Sequence, residues 1–274
     1  MARKAKRLDD RLIEEGLCAT LREAQAMIMT GKIFVDGNLV TKPGAMVHND
    51  SSVTSKATLS RFATRGGYKL EKALKAFSVS VADRVALDAG AAGGGFTDCL
   101  LQHGAKRVYA VDVGFGQMKG RLAADPRVIN LERMNISDLS PAILDMPMDL
   151  CTMDLSYLTL VQAVPIVRGL FTKPHEIICL IKPLYEGLSP ESKADPIALH
   201  GVLVKLFQDL AVSGNGPSDV TSSRILGTRE SVEFLCVIRA DSPPGGPDLL
   251  ADKAIAELRA NPPVSFEEAV EQRS

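Results

Sequence analysis

Apolar residues change their spacing along this chain, and each change predicts a different kind of element. Leu8, Leu12 and Ile13 share one face of a short helix that Gly16 stops. Thr20-Leu-Arg-Glu23 reads as a capping box for a second helix, with Ala24, Met27 and Ile28 on its apolar side and Gly31 at its end. The runs 32–35 and 38–40 then flank Asp36-Gly37, a two-residue hairpin signal, and Lys42-Pro43-Gly44 turns the chain. Residues 54–63 are polar and read as a linker. From 64 to 240, short β-branched runs alternate with helix-length runs, which argues for a mostly parallel sheet. Strands are predicted near 85–87, 108–111, 128–131, 150–153, 177–181, 220–226 and 232–238, with a helix over 196–212. The short connection between the last two strands allows them to pair antiparallel. Residues 241–274 open Asp-Ser-Pro-Pro-Gly-Gly-Pro, turn Ala/Glu-rich, and read as a flexible tail.

Composition narrows the class. A hydrophobic fraction of 46% and a charged fraction of 24% over 274 residues suit a soluble globular protein of one large domain or two. No apolar run approaches the ~18 residues of a membrane helix, and no apolar stretch follows the basic start to make a signal peptide. The five cysteines are scattered without a CxxC, as expected of buried free thiols in a reducing cytoplasm. The four histidines share no ligand spacing, so no metal site is expected. Charge is uneven although the net is −1. Residues 1–75 hold 14 Lys and Arg against 8 Asp and Glu, and residues 76–274 hold 18 against 25. A basic front on a neutral chain suggests a polyanion-binding face.

The chemistry concentrates after the first strand of the long segment. Val85-Ala-Leu-Asp88 leads into Gly90-Ala-Ala-Gly-Gly-Gly95, Phe96-Thr-Asp98 and then an apolar, helix-like run, Cys99-Leu-Leu-Gln-His103. Strand, glycine loop and helix start form a nucleotide-cofactor cradle, because small residues let a ligand approach the backbone. The spacing is neither G-x-G-x-x-G nor a P-loop. Asp88-x-Gly-x-x-Gly-Gly is closer to a loop for S-adenosylmethionine, and Asp88, Gly90, Ala91, Ala92, Gly93, Gly94 and Phe96 are its expected contacts. Asp112 ends the second strand, where an acid meets ribose hydroxyls, and Val113 follows it. Asn135, after the third, could meet adenine or serve as turn chemistry. Lys69, Asp154 and Lys182 fall at a helix start and at two strand ends, and Glu233 in a strand.

Two resemblances join these parts. Arg7-Leu-Asp9, Glu15-Gly-Leu17, the 24–31 helix end, Val35-Asp-Gly37 and Val40 with Lys42-Pro43 resemble an S4 RNA-binding domain. The family's Ser-Arg at the second helix is here Thr20-Leu21, with Arg22 one place later, a rotation of about 100°. Arg3, Lys4, Lys6, Arg7, Arg11, Arg22 and Arg65 are the expected RNA contacts. Residues 7–240 resemble the TlyA/hemolysin A family, an S4 domain joined to an FtsJ-like methyltransferase. The likeness is carried by Arg65-Gly-Gly-Tyr-Lys69, the 86–101 loop, Ala110-Val-Asp112, Asp125-Pro-Arg127, Asp154-Leu-Ser-Tyr157, Lys182-Pro183 and Val232-Glu-Phe-Leu235.

The resemblance implies a small S4-type α/β domain (1–53), a linker (54–63), and a Rossmann-like, doubly wound, seven-stranded methyltransferase domain (64–240). It implies S-adenosylmethionine as cofactor, ribosomal RNA or ribosomal subunits as partner, and methylation of a cytidine ribose 2′-hydroxyl through a Lys-Asp-Lys-Glu tetrad matched by Lys69, Asp154, Lys182 and Glu233. In that tetrad Lys182 is expected to be the base or orienting group, with the like charge of Lys69 favouring its neutral form. A cytoplasmic monomer is expected. The chain departs from the family in its glycine loop, in Leu184-Tyr-Glu186 after Lys182-Pro183, and in 223–230, where a Pro-rich loop is replaced. An S4 RNA-binding factor with a non-catalytic second domain is the alternative. A membrane-lytic hemolysin would need an amphipathic or long apolar segment, and none is present.

Overall fold

The computed structural model describes residues 5–18, 20–55, 61–172 and 175–271, and its contacts divide the chain after Arg61. In the first unit β1 (Ala5–Arg7) leads into α1 (Leu8–Glu14) and α2 (Leu21–Met29). The Thr20 hydroxyl accepts the Glu23 backbone N–H at 3.2 Å and so caps α2. There follow β2 (Ile33–Val35), β3 (Asn38–Leu39), β4 (Met46–His48) and β5 (Val53–Ser55). The predicted hairpin forms: Val35 pairs with Asn38, and Asp36 and Gly37 both take left-handed φ, as a type I′ turn requires. β2 also pairs with β5, and β1 with β4. Leu8, Leu12, Ala24, Ile28 and Ile33 are fully buried between the helices and these short sheets.

The second unit runs α3 (Gly66–Ala76), β6 (Val85–Ala89), α4 (Gly95–Gln102), β7 (Arg107–Asp112), α5 (Gly120–Ala123) and β8 (Val128–Glu132). It continues with β9 (Leu150–Met153), α6 (Leu160–Arg168), β10 (Glu176–Ile181), α7 (Pro196–Val212), β11 (Asp219–Ser222) and β12 (Phe234–Arg239). α8 (Pro247–Ala260) and α9 (Phe266–Glu271) close the chain. Seven strands form one sheet in the order β11-β12-β10-β9-β6-β7-β8. β12 runs antiparallel to both neighbours, and the pairs among β10, β9, β6, β7 and β8 are parallel. Side chains alternate between two faces. Leu87, Val111, Met153 and Cys179 face a core closed by α6, α7 and α8, while Ala86, Ala110, Ile178 and Leu235 face one closed by α3 and α4.

Two boundaries differ from the expectation. The 54–63 linker is shorter than its polarity suggests: Thr54 and Ser55 belong to β5, and Phe62 and Ala63 are buried in the second unit's core. The tail is not loose over α8. Leu250, Ala251, Ala254, Ile255 and Leu258 are buried in the α6–α7 core, at the i, i+4 spacing of an amphipathic helix. The run of Pro and Gly at 243–247 turns the chain into α8 rather than freeing it, with Pro247 at the helix start.

Candidate active site

Topology places the site. The chain leaves β6 for β7 and β8 on one side and returns to β9 on the other, so the crevice between β6 and β9 is a topological switch point, where such sheets bind ligands. Asp154 N–H donates to the Ala89 carbonyl at 2.8 Å across this crevice. Gly90 is the residue that lets the two strand ends approach. Its φ is +89°, and a Cβ there would overlap the Asp154 carbonyl. The loop beyond it turns under Asp112, whose carboxylate accepts the backbone N–H of Ala92 at 2.9 Å and of Gly114 at 2.7 Å. Val113 is exposed beside them, and Asn135 caps a short turn by accepting the Ser137 N–H at 3.0 Å. Asn135 therefore performs the turn chemistry that was the alternative for it.

Asp88 and Phe96 do not line this surface. Asp88 is fully enclosed on the α4 face, where it accepts the Thr97 hydroxyl at 2.6 Å and the Thr152 hydroxyl at 3.2 Å. Burial pushes its carboxyl up to about 7, against the opposing pull of those hydroxyls. Phe96 is buried among the α3–α4 core residues. Both shape the loop from beneath. Ala91 and Gly94 are also enclosed, while Ala92 is exposed and Gly90 and Gly93 are half-buried.

The four charged residues form two ion pairs, and one member of each pair, Lys182 and Glu233, lines a common cleft. Because Ile181 is paired with Phe234 across β10 and β12, the next residues outward, Lys182 and Glu233, come to the same edge. Only a reversed β12 allows this, since it starts where the parallel strands end. Lys182 Nζ lies 2.5 Å from Asp154 Oδ1, an ion pair by distance whose angle leaves that oxygen without a formed hydrogen bond, and it donates to the Ser156 hydroxyl at 2.9 Å. Lys69, from the first turns of α3, pairs with Glu233. Lys182, Ser156 and Glu233 line a cleft of about 480 Å³ together with Tyr185, Lys193, Thr228 and Arg229. Lys69 does not face Lys182 as a bare like charge, because Glu233 balances it. Tyr185, Lys193 and Arg229 carried no motif. Their signal in the sequence is an aromatic three places after Lys182, a lone lysine at 193, and an arginine within the 223–230 stretch that departs from the family.

The basic residues expected to meet RNA divide sharply. Lys6 pairs with Glu14 at 2.7 Å, Arg7 with the buried Asp9 at 2.6 Å, and Arg11 with Glu15 at 2.5 Å and the Ser51 carbonyl at 2.7 Å. Arg65 donates to the Thr228 hydroxyl at 2.8 Å. Each of these four has a partner within the fold, and the Lys6 and Arg7 side chains are still about half exposed. Arg22 is exposed and, among the described residues, has no partner. Arg3 and Lys4 lie outside the described residues. The five cysteines are free and buried, no group that could hold a metal occurs among the described residues, and no helix there is long and apolar enough to cross a membrane.

A switch-point glycine loop beside a charged cleft on this sheet defines a Rossmann-like transferase of the S-adenosylmethionine-dependent class. The FtsJ-like methyltransferase family matches residues 62–210, and the S4 domain matches residues 6–52. The chain belongs to the TlyA/hemolysin A family of S4-bearing, FtsJ-like, S-adenosylmethionine-dependent methyltransferases. It is 40% identical over 187 residues to the 16S/23S rRNA (cytidine-2′-O)-methyltransferase TlyA of Mycobacterium tuberculosis, covering 68% of this chain and 69% of that one. It is 32% identical to Hemolysin A of Brachyspira hyodysenteriae, over 84% of this chain and 98% of the other. A hemolysin candidate from Streptococcus thermophilus has a solved structure that superposes with a TM-score of 0.71 at 29% identity, over 98% of this chain and 100% of that one.

The residues present fit the cofactor. Gly90 lets the ends of β6 and β9 close against each other, the half-buried Gly93 and exposed Ala92 leave backbone open beyond it, and Asp112 ends β7 where ribose hydroxyls are met.

Proposed function

We propose that this protein methylates the ribose 2′-hydroxyl of a cytidine in ribosomal RNA. The convergence of Lys182–Asp154 and Lys69–Glu233 on one cleft beside the glycine loop carries this reading. When bound, S-adenosylmethionine supplies a methyl group on a sulfonium, which is already electrophilic. The chain's residues therefore need only hold the acceptor oxygen in line and manage its proton. Asp112, Ala92, Gly93 and Val113 hold the cofactor at the switch point. Lys182 Nζ meets the 2′-hydroxyl. As the amine it takes the hydroxyl proton, and as the ammonium it orients the oxygen; in both forms Asp154 holds it in place. Lys69 and Glu233 form the wall behind it. The named activity of the Mycobacterium relative, at 40% identity, supports a cytidine of ribosomal RNA as the target.

The test is transfer of a labelled methyl group to ribosomal subunits isolated from cells lacking the protein. Lys182→Ala is expected to lower transfer at least a hundredfold, the scale of a lost general base, while cofactor binding by calorimetry stays within about twofold. Normal turnover in that variant would sink the assignment.

A further inference from the structure

The Thr228–Glu230 turn, between β11 and β12, carries backbone conformations that fold alone does not explain. Arg229 and Glu230 are consecutive non-glycine residues with φ of +59° and +57°. Left-handed pairs of this kind persist only when the surroundings impose them, and they gather at functional sites. Here the surroundings do impose them. Gly227 N–H donates to the Ser231 carbonyl at 2.8 Å, Lys193 Nζ to the Arg229 carbonyl at 2.7 Å, and Arg65 to the Thr228 hydroxyl at 2.8 Å. The turn is also pressed onto the tetrad, since a Cβ on Gly227 would overlap Glu233 Oε1.

All of this anchoring leaves one group unused. Lys182 is paired with Asp154, and Lys193 is engaged with the Arg229 carbonyl and lies 3.7 Å from Glu230. The Arg229 guanidinium, exposed at the cleft that holds Lys182 and Glu233, has no partner among the described residues. With their partners counted, Lys69, Lys182, Lys193 and Arg229 stand against Asp154, Glu230 and Glu233, so the excess charge at the cleft is the single positive charge of Arg229. A planar guanidinium in an electropositive mouth matches the oxygens of a phosphodiester.

We propose that Arg229 is a substrate-binding residue that grips a backbone phosphate of the RNA strand at the mouth of the cleft, and that Arg65 and Lys193 position it by holding the strained turn. This rests on the RNA-methyltransferase reading above and adds to it the residue that makes a polynucleotide, rather than a free nucleoside, the substrate.

Arg229→Gly separates this from a structural role, because glycine removes the guanidinium and relieves the left-handed strain together. The expected result is a KM for ribosomal subunits raised about tenfold, kcat changed less than twofold, and a Tm equal to or above that of the parent. The slope of log KM against log salt should fall by about one, as one phosphate contact is lost. Arg229→Lys should recover part of the KM. Unchanged KM and slope in Arg229→Gly would overturn the proposal. Filter retention of the same subunits is measured alongside. If the parent protein transfers no methyl group, the functional reading fails, yet a reduced salt slope of retention in Arg229→Gly would still support the phosphate contact. An equal slope there would overturn it.

Discussion

The two ion pairs of the cleft each join a lysine to a carboxylate, Glu233 in one and Asp154 in the other, and they differ in setting. The Lys69 and Glu233 side chains are 4% and 5% exposed, while Lys182 and Asp154 are 17% and 27% exposed. The sealed pair keeps the Lys69 ammonium out of the cleft and fixes α3 against the start of β12, so that it shapes the wall through Glu233. An open pair contributes little to stability, about 1 kcal/mol or less once water screens it, but its ammonium is free to reach an incoming hydroxyl. Two lysines that look alike in sequence are thus separated by burial into one that positions and one that acts.

The comparison breaks first, and with the largest effect, at the sealed pair. Lys69→Ala leaves the Glu233 carboxylate buried without its cation, which is expected to cost about 3–5 kcal/mol of unfolding free energy. Replacing both partners with apolar residues, Lys69→Met with Glu233→Leu, should recover most of that stability without recovering methyl transfer. The corresponding loss for Lys182→Ala should stay near 1 kcal/mol. Urea titrations of the three proteins decide it, and a Lys69→Ala protein as stable as its parent would end the distinction.

Asp88 offers a further contrast, a fully buried carboxyl with no cation beside it among the described residues. Its folded carboxyl lies near 7 against an ordinary 3.8, because burial favours the neutral form. A group raised on folding contributes stability below its unfolded value and loses it as pH rises through the folded one. Between pH 4 and 7 the penalty grows to roughly 3–4 kcal/mol. Asp88→Asn keeps the shape without the titration. The variant should match its parent near pH 4 and exceed it by pH 8, with cofactor binding retained because the side chain is enclosed. Thermal melts across that range test the sign, and a constant difference with pH would show that Asp88 stays charged.

Much of the fold was legible because it is local. The two-residue hairpin at Asp36-Gly37, the capped α2, the α7 span and the positions of the seven strands follow from short-range pattern. Lys69, Asp154, Lys182 and Glu233 stood out by their helix-start, strand-end and strand positions, but their role as one set came from the resemblance, since their meeting depends on β12 reversing so that Glu233 reaches the same edge as Lys182. What the sequence concealed is what partners do to charges. Asp88 looked like a ligand contact until Thr97 and Thr152 were seen to enclose it, and α8 looked loose because Pro and Gly before it read as a linker although its apolar face closes a core. Arg229 had no pattern to announce it, because its meaning lies in a backbone shape and in a missing partner.

The smallest effects carry the same comparison to the amino-terminal unit, where cations are again either held or free. Arg11 is held by Glu15 and the Ser51 carbonyl, and its side chain is mostly covered. Arg22 stands exposed on α2 without a partner among the described residues. If holding and meeting RNA are separate uses of a cation, the two substitutions should have separate consequences. Arg11→Ala should destabilise by about 1–2 kcal/mol, the scale of lost charge-assisted hydrogen bonds, and leave the salt slope of RNA binding unchanged. Arg22→Ala should leave the melting temperature unchanged and lower that slope by about one. Arg22 stands one place away from the arginine of the S4 pattern, so this pair of measurements also asks whether the helix has kept the RNA-facing role after a shift of about 100°. An unchanged slope in Arg22→Ala would mean that the rotation has carried its arginine off the RNA-binding face.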